Sequence, residues 1–377
     1  MNQVTFLLLG GYGNAGKPLA RLLLQESDVS LVLAGRNRAR AESMASVLNQ
    51  TFAGERVTGI ALDASDPAGL KQAFQGIDLV IVASSTSRYA REVGTAALEC
   101  GIDYLDIQYS TQKIAVLKSL ADQIQAAGCC FITDGGFHPG LPAALVRYVA
   151  LCFDRLEIAN VGSVIKQDWA DLTLPEDTVI ELVEELNDFV PLVYTHGRWD
   201  KVSMVSSQAY RSFDFGAGFG KQACAPMFLE EMRSLPVMIP SLTETGFFVG
   251  GFNPFVDWVV LPLALVCLRI WPQSALKPMA RLVKWGLKSF SKPPYGMVLK
   301  VEARGSIAGK TQSLEIALMH EDGYMFTAIP VVACLLQYLD GSINRPGLWT
   351  QANLVEPNRL FQDMQRMGIK IQRGIQS

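Results

Sequence analysis

The chain has 377 residues, of which 49% are hydrophobic and 18% charged, and this length predicts two lobes that each bury a core of their own. A formal net charge of -3 gives no reason to expect nucleic acid as a partner, because such binding depends on clustered positive charge. Seven cysteines without a CxxC pair and three scattered histidines predict free thiols in a reducing cytoplasm and no metal site.

The first predicted strand is an apolar run at residues 4–9, which no Lys or Arg precedes. We expect a buried strand rather than a secretory signal, because a signal needs a basic amino end and a longer apolar core. Gly11, Gly13 and Gly16 follow in a G-x-G-x-x-G pattern, in which Gly11 is expected to make the tight turn, and leucines then recur at helical spacing. Between a strand and a helix, this pattern predicts a dinucleotide site with the pyrophosphate at the helix amino end. The predicted contacts in the loop are Gly11, Gly13, Asn14, Ala15 and Gly16.

Residues 29–34 form the second predicted strand, and Arg36 follows it where an NAD site usually has a carboxylate for the ribose 2′-hydroxyl. A guanidinium at this place can bind a 2′-phosphate through two parallel hydrogen bonds. The predicted cofactor is therefore NADP(H), held by Arg36 with Asn37 beside it. We interpret Arg38 and Arg40 as the solvated start of the next helix.

The third and fourth predicted strands, at residues 57–62 and 79–83, each end in polar residues. Asp63 is a candidate acceptor for the adenine amino group, and Ser84 and Ser85 either touch the cofactor or form a plain turn. Helices and strands then alternate at residues 88–100, 104–107, 111–127 and 130–133. Such alternation predicts an α/β fold with a Rossmann-type, doubly wound parallel sheet and right-handed crossovers.

The stretch TDGGFHPGLP follows the sixth predicted strand and precedes a helix predicted at residues 142–149. Chemistry in open parallel sheets collects at the carboxyl ends of the strands, so this loop is expected to face the nicotinamide. His138 within it is a proton donor, a substrate ligand or a plain loop residue. Tyr109 and, less strongly, Asp106 are further candidates for proton transfer, since both lie at the same end of the sheet. Tyr109 and Lys113 also form a Y-x-x-x-K, which we interpret as a chance match because so short a pattern recurs often.

The middle of the chain predicts a second, α+β domain. Residues 156–166 read as a strand, and residues 297–305 and 310–320 as an antiparallel pair. Residues 178–190 predict a helix with a solvated acidic face. Its acidic residues are Glu181, Glu184, Glu185 and Asp188.

An apolar segment at residues 245–290 contains WVVLPLALVCL and then a basic amphipathic helix. The stretch WVVLPLALVCL is interrupted by proline and is too short for a membrane span. Residues 258–290 have the character of a membrane-surface anchor, or of a helix that covers the core or forms a dimer contact with a basic rim. Either interpretation predicts an apolar substrate pocket. The basic residues on one helical face are Lys277, Arg281, Lys284 and Lys288.

Several stretches resemble the saccharopine dehydrogenase/reductase-like family of NAD(P)-dependent oxidoreductases. They are GGYGNAGKPLARLL, LAGRN, GIDYLDI, GGFHPGLP and the tail FTAIPVVACLLQYLDGSINRPGLW. The resemblance implies an NADP-binding Rossmann domain at residues 1–150, a substrate and dimerisation domain at 151–324, and a tail at 325–377 that returns to the first domain. Relatives acting on amino acids often have Asp at the position of His138, so the resemblance does not carry an amino-acid imine substrate over to this chain.

The leading hypothesis is a cytoplasmic, homodimeric NADP(H)-dependent oxidoreductase that transfers a hydride to or from a C=O, C=N or activated C=C bond of an apolar small molecule. A second hypothesis is a reductase of a lipid or polyketide-type substrate, recruited to a membrane face by residues 258–290. A third is a non-enzymatic NADP-binding protein, because no single catalytic residue dominates the sequence.

Overall fold

The computed structural model describes residues 3–172, 178–180, 182–183, 190–203, 209–216 and 218–376. The strands are, in chain order, β1 (Thr5–Leu9), β2 (Ser30–Gly35), β3 (Val57–Ala61), β4 (Leu79–Val82), β5 (Asp103–Asp106), β6 (Cys130–Thr133), β7 (Arg155–Lys166), β8 (Leu192–Thr195), β9 (Arg198–Lys201), β10 (Arg211–Asp214), β11 (Lys221–Pro226), β12 (Glu244–Val249), β13 (Gly296–Ile307), β14 (Lys310–His320), β15 (Gly347–Thr350) and β16 (Lys370–Gln376).

The helices are α1 (Gly16–Glu26), α2 (Arg38–Thr51), α3 (Pro67–Ala73), α4 (Ala90–Cys100), α5 (Thr111–Ser119), α6 (Ala121–Ala127), α7 (Pro142–Ala150), α8 (Leu235–Met238), α9 (Leu261–Ile270), α10 (Leu276–Phe290), α11 (Gly323–Leu339), α12 (Gln351–Leu354) and α13 (Pro357–Arg366). Short 3₁₀ turns lie at Ser87–Tyr89 and Glu230–Met232, and a π-helical segment lies at Val256–Val260.

The chain divides into two units, and the first consists of Met1–Leu141 together with Tyr324–Met367. Its described residues form a seven-stranded sheet in the order β15-β6-β5-β4-β1-β2-β3, and every neighbouring pair is parallel. Strands buried on both faces read as continuous apolar runs, as LVIV of β4 does. The predicted doubly wound parallel sheet is confirmed, and the seventh strand, β15, was not anticipated.

Two element predictions in this unit are wrong in detail. The helix predicted at residues 111–127 is two helices, α5 and α6, separated at Leu120. Ser119 Oγ donates to the Val116 carbonyl at 2.6 Å, and such back-bonding from a hydroxyl competes with the regular helix pattern. The helix predicted from residue 88 opens instead with a 3₁₀ turn, and the α-helix starts at Ala90.

The second unit consists of Pro142–Gly323 and Gly368–Ser377. Its described strands form a nine-stranded mixed sheet with the path β10-β11-β12-β7-β13-β14-β16, in which β8 also pairs with β12 and β9 pairs with β8. β7 lies parallel to β12 and antiparallel to β13. The predicted antiparallel pair is present as β13 and β14, in a register that places Val301 opposite Ile316.

The apolar helices of this unit surround a small core of their own. Val256, Val260, Leu268, Val283 and Leu287 are buried there, together with other small apolar side chains. Residues 178–180 and 182–183 are helical and contribute to the same core, whereas the acidic positions predicted for that helix (Glu181, Glu184, Glu185 and Asp188) lie outside the described residues. No helix in the described ranges combines the length and apolar character needed to cross a bilayer.

Candidate active site and cofactor-binding loops

The glycine-rich loop lies between β1 and α1 and is closed by backbone contacts. Gly10 has the left-handed φ of +92°, and its N–H donates to the Ala34 carbonyl at 2.8 Å. The left-handed turn residue is therefore Gly10 rather than the predicted Gly11. A Cβ on Gly11 would lie 2.8 Å from Leu33 Cδ2, so Gly11 is required for close packing on β2.

The third glycine of the pattern allows α1 to start directly on the loop. A Cβ on Gly16 would lie 2.1 Å from the Gly10 carbonyl oxygen, which excludes every side chain. No side chain caps α1, and its first turn contains no acid, so the electrostatics of this helix end favour an anion. Ala15 is the N-cap residue, and Asn14 Nδ2 donates to Tyr324 Oη at 3.1 Å. The loop thus needs glycine at two positions and ends at a helix amino end that favours an anion.

Tyr12, inside the glycine pattern, connects the loop to the end of β2. Its hydroxyl oxygen accepts from the Asn37 N–H at 2.8 Å, and a Cβ on Gly35 would lie only 2.6 Å from that oxygen. The Arg40 guanidinium lies over the Tyr12 ring, 4.8 Å from its centroid. Sequence reasoning missed Tyr12, although an aromatic residue within the pattern and a following arginine cluster are visible in the sequence.

The arginines after β2 divide into two kinds. Arg38 Nε pairs with Glu42 Oε1 at 2.7 Å along the surface of α2, as expected for a solvated helix start. Arg40 is instead held over Tyr12, and its N–H donates to Asn37 Oδ1 at 3.0 Å, so the Asn37 side chain caps α2. Arg36 is exposed on the intervening turn.

The turn after β3 places Asp63 in the electrostatic field of Arg36. Asp63 Oδ1 accepts from the Ser65 N–H at 2.9 Å and from Ser65 Oγ at 2.7 Å. These hydrogen bonds, followed by the charges of Arg36 and Arg88, lower the pKa of Asp63 below its ordinary value. The Asp63 carboxylate is thus an ionised acceptor on the same side as Arg36.

The loop after β4 lies directly against the glycine turn. A Cβ on Gly10 would lie 2.9 Å from Ser84 Cβ, so Ser84 and the first loop are neighbours. Ser84 Oγ is 3.0 Å from Thr86 Oγ1, and the Ser84 carbonyl accepts from Gln108 Nε2 at 2.5 Å. Ser85 lies in the same loop, one residue beyond this contact.

A buried ion cluster lies beneath the loops that follow β5 and β6. The Lys113 ammonium contacts Asp106 Oδ1 at 2.6 Å and Asp134 Oδ1 at 2.8 Å, and it also donates to the Gln108 carbonyl. Asp106 Oδ2 accepts from Thr133 Oγ1 at 2.7 Å. Burial alone would lower the pKa of Lys113, but the two carboxylates outweigh it and raise that pKa. The ammonium is fully buried, so it cannot contact a cofactor at the surface.

A glutamine from the carboxyl-terminal part of the chain braces the loop of residues 134–140. Gln351 Nε2 donates to the Gly136 and Gly140 carbonyls, both at 3.2 Å, and Gln351 Oε1 accepts from the Gly136 N–H at 3.3 Å. Gly140 has a φ of +122°, and a Cβ there would lie 2.3 Å from the Gly136 carbonyl oxygen. The loop is therefore held by close backbone contacts that only glycine at position 140 permits.

His138 lies within this braced loop against aromatic rings. Its ring stacks on Phe137 with centroids 4.2 Å apart, and Phe137 stacks in turn on Phe326 at 4.8 Å. The Nδ1 atom is buried, and burial lowers the pKa of His138 to about 4. The imidazole is therefore neutral at physiological pH, and can donate or accept a hydrogen bond without carrying charge.

The order of the strands brings these loops to one edge of the sheet. All strands are parallel, so Gly10, Arg36, Ser84, Tyr109 and His138 all follow strand ends on the same side. β1 pairs with β2 on one side and β4 on the other, which is the point where the strand order reverses and where ligands bind in such sheets. Asp106 is the last residue of β5, Tyr109 follows that strand, and His138 follows the adjacent strand β6.

The chain is similar to known proteins in its amino-terminal sequence and in its fold. Residues 6–130 match the family model described as saccharopine dehydrogenase NADP binding domain. The chain is similar to apo histidine-tagged saccharopine dehydrogenase (L-Glu forming) from Saccharomyces cerevisiae, with a TM-score of 0.70 and 15% identity over 99% of this chain and 100% of that chain. A C. glutamicum DAP dehydrogenase in complex with DAP gives a TM-score of 0.47 and 13% identity over 96% of each chain. No curated protein sequence matches the chain.

The parallel sheet, the glycine loop and the matched domain define an NADP(H)-dependent oxidoreductase. The match of residues 6–130 to the saccharopine dehydrogenase NADP binding domain confirms the resemblance seen in the sequence motifs.

Proposed function

We propose that the protein transfers a hydride between NADP(H) and a C=O, C=N or activated C=C bond of a small, largely apolar molecule. The observation that supports this most is the shared sheet edge, which has the phosphate loop after β1 and the braced His138 loop after β6. When bound, NADP(H) supplies or accepts the hydride. The protein then contributes orientation and electrostatic stabilisation of the developing charge.

The first unit offers a distinct group of residues for each part of the cofactor. The amides of the loop from Gly11 to Gly16 and the amino end of α1 suit the pyrophosphate. Arg36 suits the 2′-phosphate, and Arg40, held over Tyr12, adds a second positive charge beside it. Asp63 suits the adenine amino group, and Ser84 and Ser85 suit the face of the cofactor next to the glycine turn. Asn37 contributes by capping α2.

The proposed proton-transfer residues differ in their surroundings. His138 is a neutral imidazole in a rigid loop, which suits it to polarise a carbonyl or imine by hydrogen bonding. Tyr109 follows β5 at the same edge and is a second donor. Asp106 is buried and bound by Lys113 and Thr133, so its contribution is to position Lys113 and the loop rather than to transfer a proton.

Turnover with a panel of carbonyl, imine and enoyl compounds tests this function, with NADPH consumption followed by its absorbance. We expect oxidation of NADPH with at least one class, and a large loss of turnover with unchanged NADPH affinity in His138→Ala. Binding of NADPH without turnover of any class would support the third hypothesis, a non-enzymatic NADP-binding protein.

A reductase that acts on a lipid or polyketide-type substrate at a membrane face is the second candidate function. It is favoured by the exposed apolar and basic side chains between residues 258 and 290. We further propose that the protein works in the cytoplasm as a homodimer, with the second unit supplying substrate contacts. Sedimentation equilibrium measures the oligomeric state directly, and a monomer would contradict that part of the proposal.

A further inference from the structure

Large exposed apolar side chains concentrate in one short part of the second unit. Of the thirteen found among the described residues, nine lie between residues 258 and 290. Three of them are tryptophans, with Trp258 65% exposed, Trp271 58% and Trp285 52%. Scattered exposed apolar residues need no explanation, but a contiguous group of this kind marks an interaction surface.

The exposed apolar residues of α9 are not needed for its own packing. Its buried stripe, continued from the π-helical segment, is Val256, Val260, Ala264 and Leu268, at every fourth residue. A second stripe, at Val259, Leu263, Val266 and Ile270, has helical spacing on another face and is exposed. The first stripe packs on the core that includes Val179 and Val183. None of the residues of the second stripe belongs to that core.

The same segment carries only positive charge. No Asp or Glu occurs from residue 258 to residue 301, while six basic residues occur between 258 and 292, in a chain whose net charge is -3. On α10, Lys277, Arg281, Lys284 and Lys288 recur at helical spacing, and Ala280, Val283 and Leu287 on its other side are buried. The exposed apolar side chains from Trp258 to Trp271 and the basic face of α10 are called here the α9–α10 surface.

We propose that the α9–α10 surface binds the face of an anionic lipid bilayer. Exposed aliphatic side chains and tryptophans enter the interfacial layer, and the basic residues contact acidic headgroups. A second copy of the chain would also cover the apolar side chains, but it would bring two acid-free, positively charged segments together. The charge therefore selects an acidic lipid surface over self-association. This inference does not depend on the proposed reaction.

Co-sedimentation with vesicles tests the surface, using the full chain and vesicles of phosphatidylcholine alone or mixed with phosphatidylserine. We expect binding to the mixed vesicles, weakened by salt, and little binding to phosphatidylcholine alone. Lys277→Glu with Arg281→Glu is expected to weaken that binding at least about 25-fold, because each basic residue near an anionic surface contributes about fivefold. The matched control is Lys201→Glu with Lys310→Glu, which reverses two exposed charges elsewhere in the same unit and is expected to bind like the wild type.

A second pair of variants separates the apolar contribution. Trp258→Gln with Val266→Gln is expected to abolish binding, whereas Val237→Gln, at an 83% exposed residue outside the surface, is expected to have no effect. Circular dichroism and NADPH affinity check that every variant is folded. Equal binding to neutral and acidic vesicles, or no binding at all, would overturn the proposal. A dimer that dissociates in Trp258→Gln with Val266→Gln would show a subunit interface instead, and would likewise overturn it.

Discussion

Replacement of Lys113 by methionine is expected to destabilise the first unit strongly. The substitution keeps the length and most of the volume of the side chain but removes an ammonium that contacts Asp106 at 2.6 Å and Asp134 at 2.8 Å. Both carboxylates stay buried, side by side and without a counter-charge. Loss of one member of a buried ion cluster costs about 3–5 kcal/mol, a large part of a typical stability of about 5–15 kcal/mol.

Denaturation by urea at neutral pH measures this loss, with unfolding followed both by circular dichroism and by NADPH binding, so that the first unit is monitored separately. Lys118→Met is the matched control, because Lys118 lies on the same helix and is exposed. Lys113→Met combined with Asp106→Asn and Asp134→Asn is expected to recover much of the stability, since it removes the unpaired charges as well. If Lys113→Met is no less stable than Lys118→Met, the cluster does not hold the loops as we argue.

Three further predictions address the cofactor, the His138 loop and a buried acid. Arg36→Asp is expected to weaken NADPH binding by roughly 10–100-fold, because it removes a charged hydrogen bond to phosphate, and to leave NADH binding nearly unchanged. Equal losses of NADPH and NADH affinity, measured by calorimetry, would contradict the 2′-phosphate role. Gln351→Leu leaves the Gly136 and Gly140 carbonyls without their hydrogen-bond donor. It is expected to lower turnover and to reduce the free energy of unfolding by about 1–3 kcal/mol, while NADPH affinity stays unchanged. A loss of NADPH affinity with normal turnover and stability would refute the role of Gln351 in holding this loop. Burial raises the pKa of Asp257 to about 6, so the folded protein keeps a proton that the unfolded chain has lost, and stability falls as pH rises from about 4 through 6. Asp257→Asn is therefore expected to stabilise the protein by about 1–3 kcal/mol at pH 8 and by little at pH 4, and a gain that does not change with pH would contradict this.

Local patterns were sufficient to predict the cofactor half of the fold. The apolar run of β1, the glycines after it and the leucines of α1 each depend on interactions within a few residues. The alternation of strands and helices along the chain then implies a parallel sheet. β6 lies at the predicted residues 130–133, and β1 to β5 differ from the predicted ranges by one or two residues, whereas β15 was not predicted.

Features that depend on distant parts of the chain were not predictable in this way. Gln351 contacts a loop more than two hundred residues earlier, and nothing near it in sequence marks an amide that will be buried. Lys113 was read as half of a chance motif, because the sequence does not reveal that Asp106 and Asp134 meet at its ammonium. The left-handed residue of the turn is Gly10, one residue before the predicted Gly11. The sequence does not distinguish the two, because both are glycine and either can adopt a positive φ.

The discontinuity of the first unit has a consequence for synthesis of the protein. β15, Phe326 and Gln351 belong to that unit but are translated after nearly the whole second unit. A ribosome-bound chain that has emerged only through residue 141 lacks the edge strand β15, the aromatic partner Phe326 of Phe137, and the Gln351 amide that braces the loop of residues 134–140. The seventh strand of the first sheet and the amide that braces the loop of residues 134–140 are therefore acquired late in translation, and a stop codon before residue 347 removes both.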